Sequence, residues 1–155
     1  MVRFKNRYFV FEISPTDGSS PFAPLDIAEK DLFFAVIQAT EQIHGEFGAA
    51  ALRNGMNVKY CNQLTRIGMI RTRHGPHRLL GSSLPFVSKI GKKPVRLDNV
   101  YTGATMVKCF LFLKKYQREK LEEMLKKCKN NVERQNILKN IAAVSSGKLQ
   151  RDNND

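Results

Sequence analysis

The spacing of apolar positions changes along the chain, and each change marks an element. Between Arg3 and Ile13, Phe4, Tyr8, Phe9, Val10, Phe11 and Ile13 are aromatic or β-branched, which predicts a strand. Arg3, Lys5 and Arg7 share one parity in this run, so a pleated backbone beginning at Arg3 would set them on one face as a basic strip. Ser14 to Pro24 holds three prolines, a glycine and three serines, the composition of an exposed loop. From Asp26 the period becomes helical: Ala28, Leu32, Val36, Ala39 and Ile43 recur at three or four, with Phe33 and Ile37 widening the stripe. Asp26 and Glu29 resemble a capping box, and Gly45 suits the left-handed residue that ends a helix.

Two strand-like segments follow, about Ala51–Cys61 and Thr65–Arg73, and read as a hairpin. In the second, Ile67 and Met69 share a face with Arg71 and Arg73, so the apolar end is expected to be buried and the basic end to emerge. Pro76–Ile90 is predicted as a helix kinked at Pro85 and stopped by Gly91, and Pro94–Gly103 as the last strand. A long helix capped by Thr105 then turns Val107, Phe110, Leu113, Leu121, Met124 and Cys128 inward. Asn131–Val144 adds a shorter helix with Val132, Ile137, Leu138 and Ile141 inward. The order strand, helix, strand, strand, helix, strand is that of a ferredoxin-like α+β fold, an antiparallel sheet followed here by extra C-terminal helices. Residues 1–144 are expected to form one domain and 145–155 a flexible tail.

Charge alters this picture more than composition does. The chain of 155 residues carries a net +12, unevenly distributed. Residues 51–130 hold eighteen basic and four acidic side chains, whereas residues 14–50 hold one basic and six acidic. A polyanion would be drawn to the central part, because each phosphate neutralised releases condensed counterions. Three cysteines at wide spacings, Cys61, Cys109 and Cys128, fit neither a disulfide framework nor a zinc site and point to a reducing compartment. No apolar run reaches a bilayer's thickness, and the N-terminus lacks the apolar core of a signal peptide, so a soluble, non-secreted protein is expected.

The residues for catalysis are sparse. His44, His74 and His77 are the only histidines, no Cys, Asp or Glu near them completes a ligand set, and His44 beside Gly45 is accounted for by capping. Nucleophile-elbow, phosphate-loop and dinucleotide motifs are missing, and the carboxylates cluster on one helix. No catalytic residue, metal ligand or protein-bound cofactor is therefore expected. An acylphosphatase-like enzyme on this topology would need an arginine in the first loop, which has none. An RNA-recognition motif would place stacking aromatics on a central strand, where Ile67, Met69 and Ile70 stand instead. The competing non-enzymatic reading is a basic interaction module of another ribonucleoprotein, such as the ribosome.

Several short segments then occur in a recognisable order: Met-Val-Arg-Phe-Lys-x-Arg-Tyr at the start, His44-Gly45-x-Phe47-Gly48-Ala49-Ala50, Val58-Lys59-Tyr60, Ile70-Arg71-x-Arg73, Leu84-Pro85-Phe86 and Gly103-x-Thr105. In this combination, from Met1 to about Cys128, the chain resembles the Pop-five family of protein subunits of eukaryotic ribonuclease P and ribonuclease MRP, which has archaeal relatives. The resemblance implies a ferredoxin-like domain that pairs with a larger barrel-shaped subunit of about thirty kilodaltons and supports a catalytic RNA, whose magnesium ions carry the chemistry. It implies removal of 5′ leaders from precursor tRNA, processing of ribosomal RNA precursors, and a place in the nucleus and nucleolus. Arg3, Lys5, Arg7 and Tyr8 match the family's N-terminal basic motif and are the leading RNA-contact candidates, with Lys59, Arg66, Arg71, Arg73 and Lys108 behind them. Some members end in a long acidic tail, of which only Arg151–Asp155 is left here.

Overall fold

A computed structural model describes residues 3–19 and 23–145. Its contacts divide the chain into two units, Met1–Cys109 and Phe110–Asp155. The first is α+β. Strand β1 (Asn6–Pro15), helix α1 (Glu29–Arg53), β2 (Asn57–Asn62), β3 (Ile67–Arg73), α2 (His77–Ser83), a 3-10 turn (Leu84–Phe86), β4 (Lys89–Ile90) and β5 (Lys93–Gly103) follow one another. The five strands form one sheet in the order β2-β3-β1-β5-β4, antiparallel at every pairing.

Alternation along β1 decides which side is packed. Phe9, Phe11 and Ile13 point to one face and are buried with Ile70, Val95 and Leu97 beneath Leu32, Val36 and Ile37 of α1 and Leu80 and Leu84 that follow β3. Each such side chain withdrawn from water contributes about 1.5–3 kcal/mol, which makes this layer the main source of stability in the unit. Val10 and Met69, cross-strand partners on the opposite face, are buried as well.

Several elements differ from the sequence reading. β1 begins at Asn6, not Arg3, because its partner β3 ends at Arg73, which pairs with Asn6. Lys5 is held beyond the ladder by one bond, the His74 N–H donating to its carbonyl at 2.8 Å. Arg3 and Lys5 therefore share no strand face with Arg7, whose parity is that of Phe9 and Phe11. The capping box does not form: Glu29 opens α1 behind Ala28, which makes no side-chain cap, and Asp26 accepts instead from Gln63 Nε2 at 3.4 Å.

Gly45 adopts the expected positive φ (+70°) without ending the helix. The chain resumes a helical path to Arg53, where the alanine-rich run 49–51 favours helix and Ala49 and Leu52 are buried. β2 accordingly starts at Asn57 and not near Ala51. Downstream, α2 stops at Ser83. Pro85 fits only a 3-10 turn, after which Val87 is extended and Lys89–Ile90 pair with β5.

In the second unit, α3 (Met106–Lys127, whose first turn belongs to the first unit) and α4 (Asn131–Ser145) are helical close to their expected bounds. The buried row of α3 is Cys109, Leu113, Gln117 and Leu121 at intervals of four. Val107, expected inward, is 70% exposed, and on α4 only Ile137 of Val132, Ile137 and Leu138 is buried. Exposed pairs one turn apart, such as Arg118 with Glu122 at 3.1 Å, line the outer surface of α3. The expectations for the Ile141 side chain and for residues 146–155 lie outside the described residues.

Candidate nucleic-acid interface

The end of α1 is fixed by a tight turn. The Leu52 carbonyl accepts from the Gly55 N–H at 3.1 Å and the Met56 N–H at 3.0 Å, and burial of Met56 pins the chain before β2 begins. Antiparallel register then sets Asn57 opposite Arg71 and, across the next strand, Asn6 opposite Arg73. Arg71 and Arg73 have the same parity on β3, so both project to one face beside the end of α1. Gly55 lets the Arg73 stem pass: a Cβ there would stand 2.8 Å from Arg73 Cγ.

These segments enclose a cavity of about 450 Å³ lined by Phe4, Asn6, Arg53, Asn54, Gly55, Met56, Asn57, Arg71 and Arg73. Three arginines and three asparagines line it, with no Asp or Glu among the lining residues. The Arg73 guanidinium lies over the Phe4 ring, 5.0 Å from its centroid, while Phe4 remains 75% exposed. Arg71 is half-buried. With the Asn57 amide turned so that both its ends are satisfied, Oδ1 accepts from Arg71 Nη2 at 3.0 Å and Nδ2 donates to the Met56 carbonyl at 3.1 Å. The buried Arg71 Nε has no hydrogen-bond partner among the described residues.

A second basic cluster surrounds His74. Its ring stacks on His77 with centroids 4.9 Å apart, and the His74 carbonyl is bonded by His77 Nδ1. The His74 pKa is lowered, first by desolvation and then by the positive charge of Arg7, with His77, Lys5 and Arg78 adding to it.

The residues nominated from sequence therefore separate. Arg71 and Arg73 share the cavity. Lys5 and Arg7 lie near His74, while Arg3 is exposed ahead of β1. Tyr8 is half-buried opposite Arg71 on the same sheet face, and Lys59 is exposed at the irregularity in the β2–β3 pairing. Lys108 is exposed in the first turn of α3. Arg66 is built into the fold: it is 7% exposed, has φ of 57°, and its Nη2 donates to the Ala23 carbonyl at 2.8 Å. Burial lowers its pKa, with Asp17 acting in the opposite sense. His44 is no cap; it bonds Ser82 Oγ through Nε2 at 2.7 Å and so ties α1 to α2. Phe4, Arg53, Asn54 and Asn57 were not nominated. The available signal was Asn54-Gly55, a turn dipeptide that brings Arg53 to a helix end.

Residues 7–114 match the family model described as Rpp14/Pop5 family. The chain belongs to the Rpp14/Pop5 family. The matched span runs from β1 into α3 and includes Arg53, Arg71 and Arg73, with Phe4 just before it. Among curated relatives, the ribonuclease P/MRP protein subunit POP5 of Bos taurus is 35% identical over 91% of this chain and 84% of its own length. The POP5 subunit of Danio rerio is 32% identical over 100% and 94%, and that of Homo sapiens 34% over 91% and 87%. A chain in the cryo-EM structure of yeast ribonuclease MRP shares the fold, with a TM-score of 0.52 at 14% identity over 80% of this chain and 97% of that one.

Proposed function

We propose that this Rpp14/Pop5 family member is an RNA-binding protein subunit of ribonuclease P and ribonuclease MRP. It supports RNA-catalysed removal of 5′ leaders from precursor tRNA and processing of ribosomal RNA precursors, in the nucleus and nucleolus. The near-full-length similarity to relatives named as ribonuclease P/MRP subunits carries this reading. Chemistry is assigned to the RNA and magnesium bound to it, and no catalytic residue to the protein. A ferredoxin-like core is supported by the order β2-β3-β1-β5 with helices after β1 and β3, β4 being an added edge.

Contacts with RNA are assigned to the basic surface, with Arg3, Lys5, Arg7, Tyr8, Lys59, Arg71, Arg73 and Lys108 as candidates. The protein partner is the larger barrel-shaped subunit, and its binding should raise the unfolding midpoint of this chain. Tagged chain is to be purified from its native cells, its RNA sequenced, and the particle assayed on precursor tRNA. Recovery of one or both catalytic RNAs with leader-cleaving activity is expected. Recovery of ribosomes alone, or magnesium-dependent cleavage by the pure protein, would overturn the proposal.

A further inference from the structure

The recess between α1 and β3 has the shape and chemistry of a site for one unpaired nucleotide. Its volume, about 450 Å³, lies in the range of small-ligand pockets and suits a single nucleotide, whereas duplex backbone rides on open surface. We infer that Arg53, Arg71 and Arg73 receive the phosphate of a single-stranded ribonucleotide whose base stacks on Phe4. This deepens the proposed function and rests on it.

Three independent features carry the inference. Guanidinium groups match phosphate oxygens in a fork, and no carboxylate in the lining competes for them. Arg71 is half-buried in the lining with its Nη2 donating to Asn57 Oδ1, so its fork is held in place before any ligand arrives and loses little freedom on meeting an acceptor. Phe4 exposes most of an aromatic ring at the rim with one face against Arg73, which leaves a platform of the kind that takes a splayed base. The Asn54 amide lines the same recess and can bond a base edge.

The test uses the full chain, a fluorescein-labelled decauridylate, and a labelled RNA duplex of equal length, with anisotropy read across salt. Arg73→Gln and Arg71→Gln should each weaken decauridylate binding about tenfold and lower the log affinity against log salt slope by about 0.7. Phe4→Leu should weaken binding with the slope unchanged, because it removes stacking and no charge. Duplex binding should change by less than about threefold, and Lys115→Gln on α3 should leave decauridylate affinity within that same margin. Circular dichroism guards against misfolding of the Arg71 variant; Arg73 is exposed, so its variant keeps the test decisive. Equal losses on strand and duplex, or wild-type affinity in both Arg73→Gln and Phe4→Leu, would overturn the inference and leave the proposed function standing. Wild-type protein that binds neither RNA would remove the basis of both.

Discussion

The Phe11 ring lies against the bare backbone of Gly68, its cross-strand partner: a Cβ at Gly68 would stand 2.6 Å from Phe11 Cζ. Both residues are buried on the packed face of the sheet, so the ring has nowhere to retreat. Gly68→Ala should destabilise the protein by about 1–3 kcal/mol, as overpacking of a filled core does. Denaturant unfolding measures the loss, and Phe11→Leu in the same chain should make the alanine less costly than in the parent.

Gly45, at φ +70° and ψ −174°, has open space around its missing Cβ, so replacing it strains the backbone without creating a clash. Gly45→Ala should cost about 1–3 kcal/mol by thermal unfolding. Substitution by D-alanine through semisynthesis should cost far less, since positive φ suits the mirror-image residue; equal losses from the two would contradict a torsional origin.

Acid should strengthen RNA binding through His74. Its lowered pKa comes from partial desolvation and from Arg7, His77, Lys5 and Arg78, and phosphates near that cluster would offset the positive charges and raise it again. Complex formation then takes up protons, so affinity should rise from pH 7.5 to 5.5, and His74→Gln should flatten the profile. For the free protein the sign is reversed. Near and below the ordinary histidine pKa of 6.5 the unfolded chain binds more protons than the folded one, so His74 lowers stability as the pH falls through that value.

Burial, with Glu29 adding to it, pushes the Cys61 thiol up to about 11. At pH 8 only about one Cys61 in a thousand is thiolate, and iodoacetamide should modify it at least tenfold more slowly in native than in urea-unfolded protein. Burial likewise raises Cys109 and Cys128, so mass spectrometry of the native chain should find all three sluggish.

Strands were readable where side chains alternate in β-branched and aromatic runs, and α1 where the apolar residues recur every three or four. Departures arose where a partner decides. Arg3, Phe4 and Lys5 continue the strand pattern, but β3 ends at Arg73, and the ladder beyond it is reduced to the bond from the His74 N–H to the Lys5 carbonyl. Gly45 carries the local mark of a helix end, yet the burial of Ala49 and Leu52 restarts the helix beyond it. Pro85 marks a local break in the helix, while the edge strand it leads into depends on pairing with Lys93 and Pro94. The arginine recess was half legible: Arg71 and Arg73 stood out on β3, but the approach of Arg53 and Phe4 follows from register and from the Leu52 turn.

That recess draws on residues 4–6, 53–57 and 71–73, and none of the three segments can form it alone. It comes into being only when the end of α1 has docked and β1 has closed on β3. Anything that binds there favours the native chain over every unfolded one, by an increment that grows with the logarithm of ligand concentration over the dissociation constant. A ligand held in the recess would thus act as a clasp across the ends of β2, β3 and β1, and an occupied chain should outlast its free counterpart under heat, denaturant or protease.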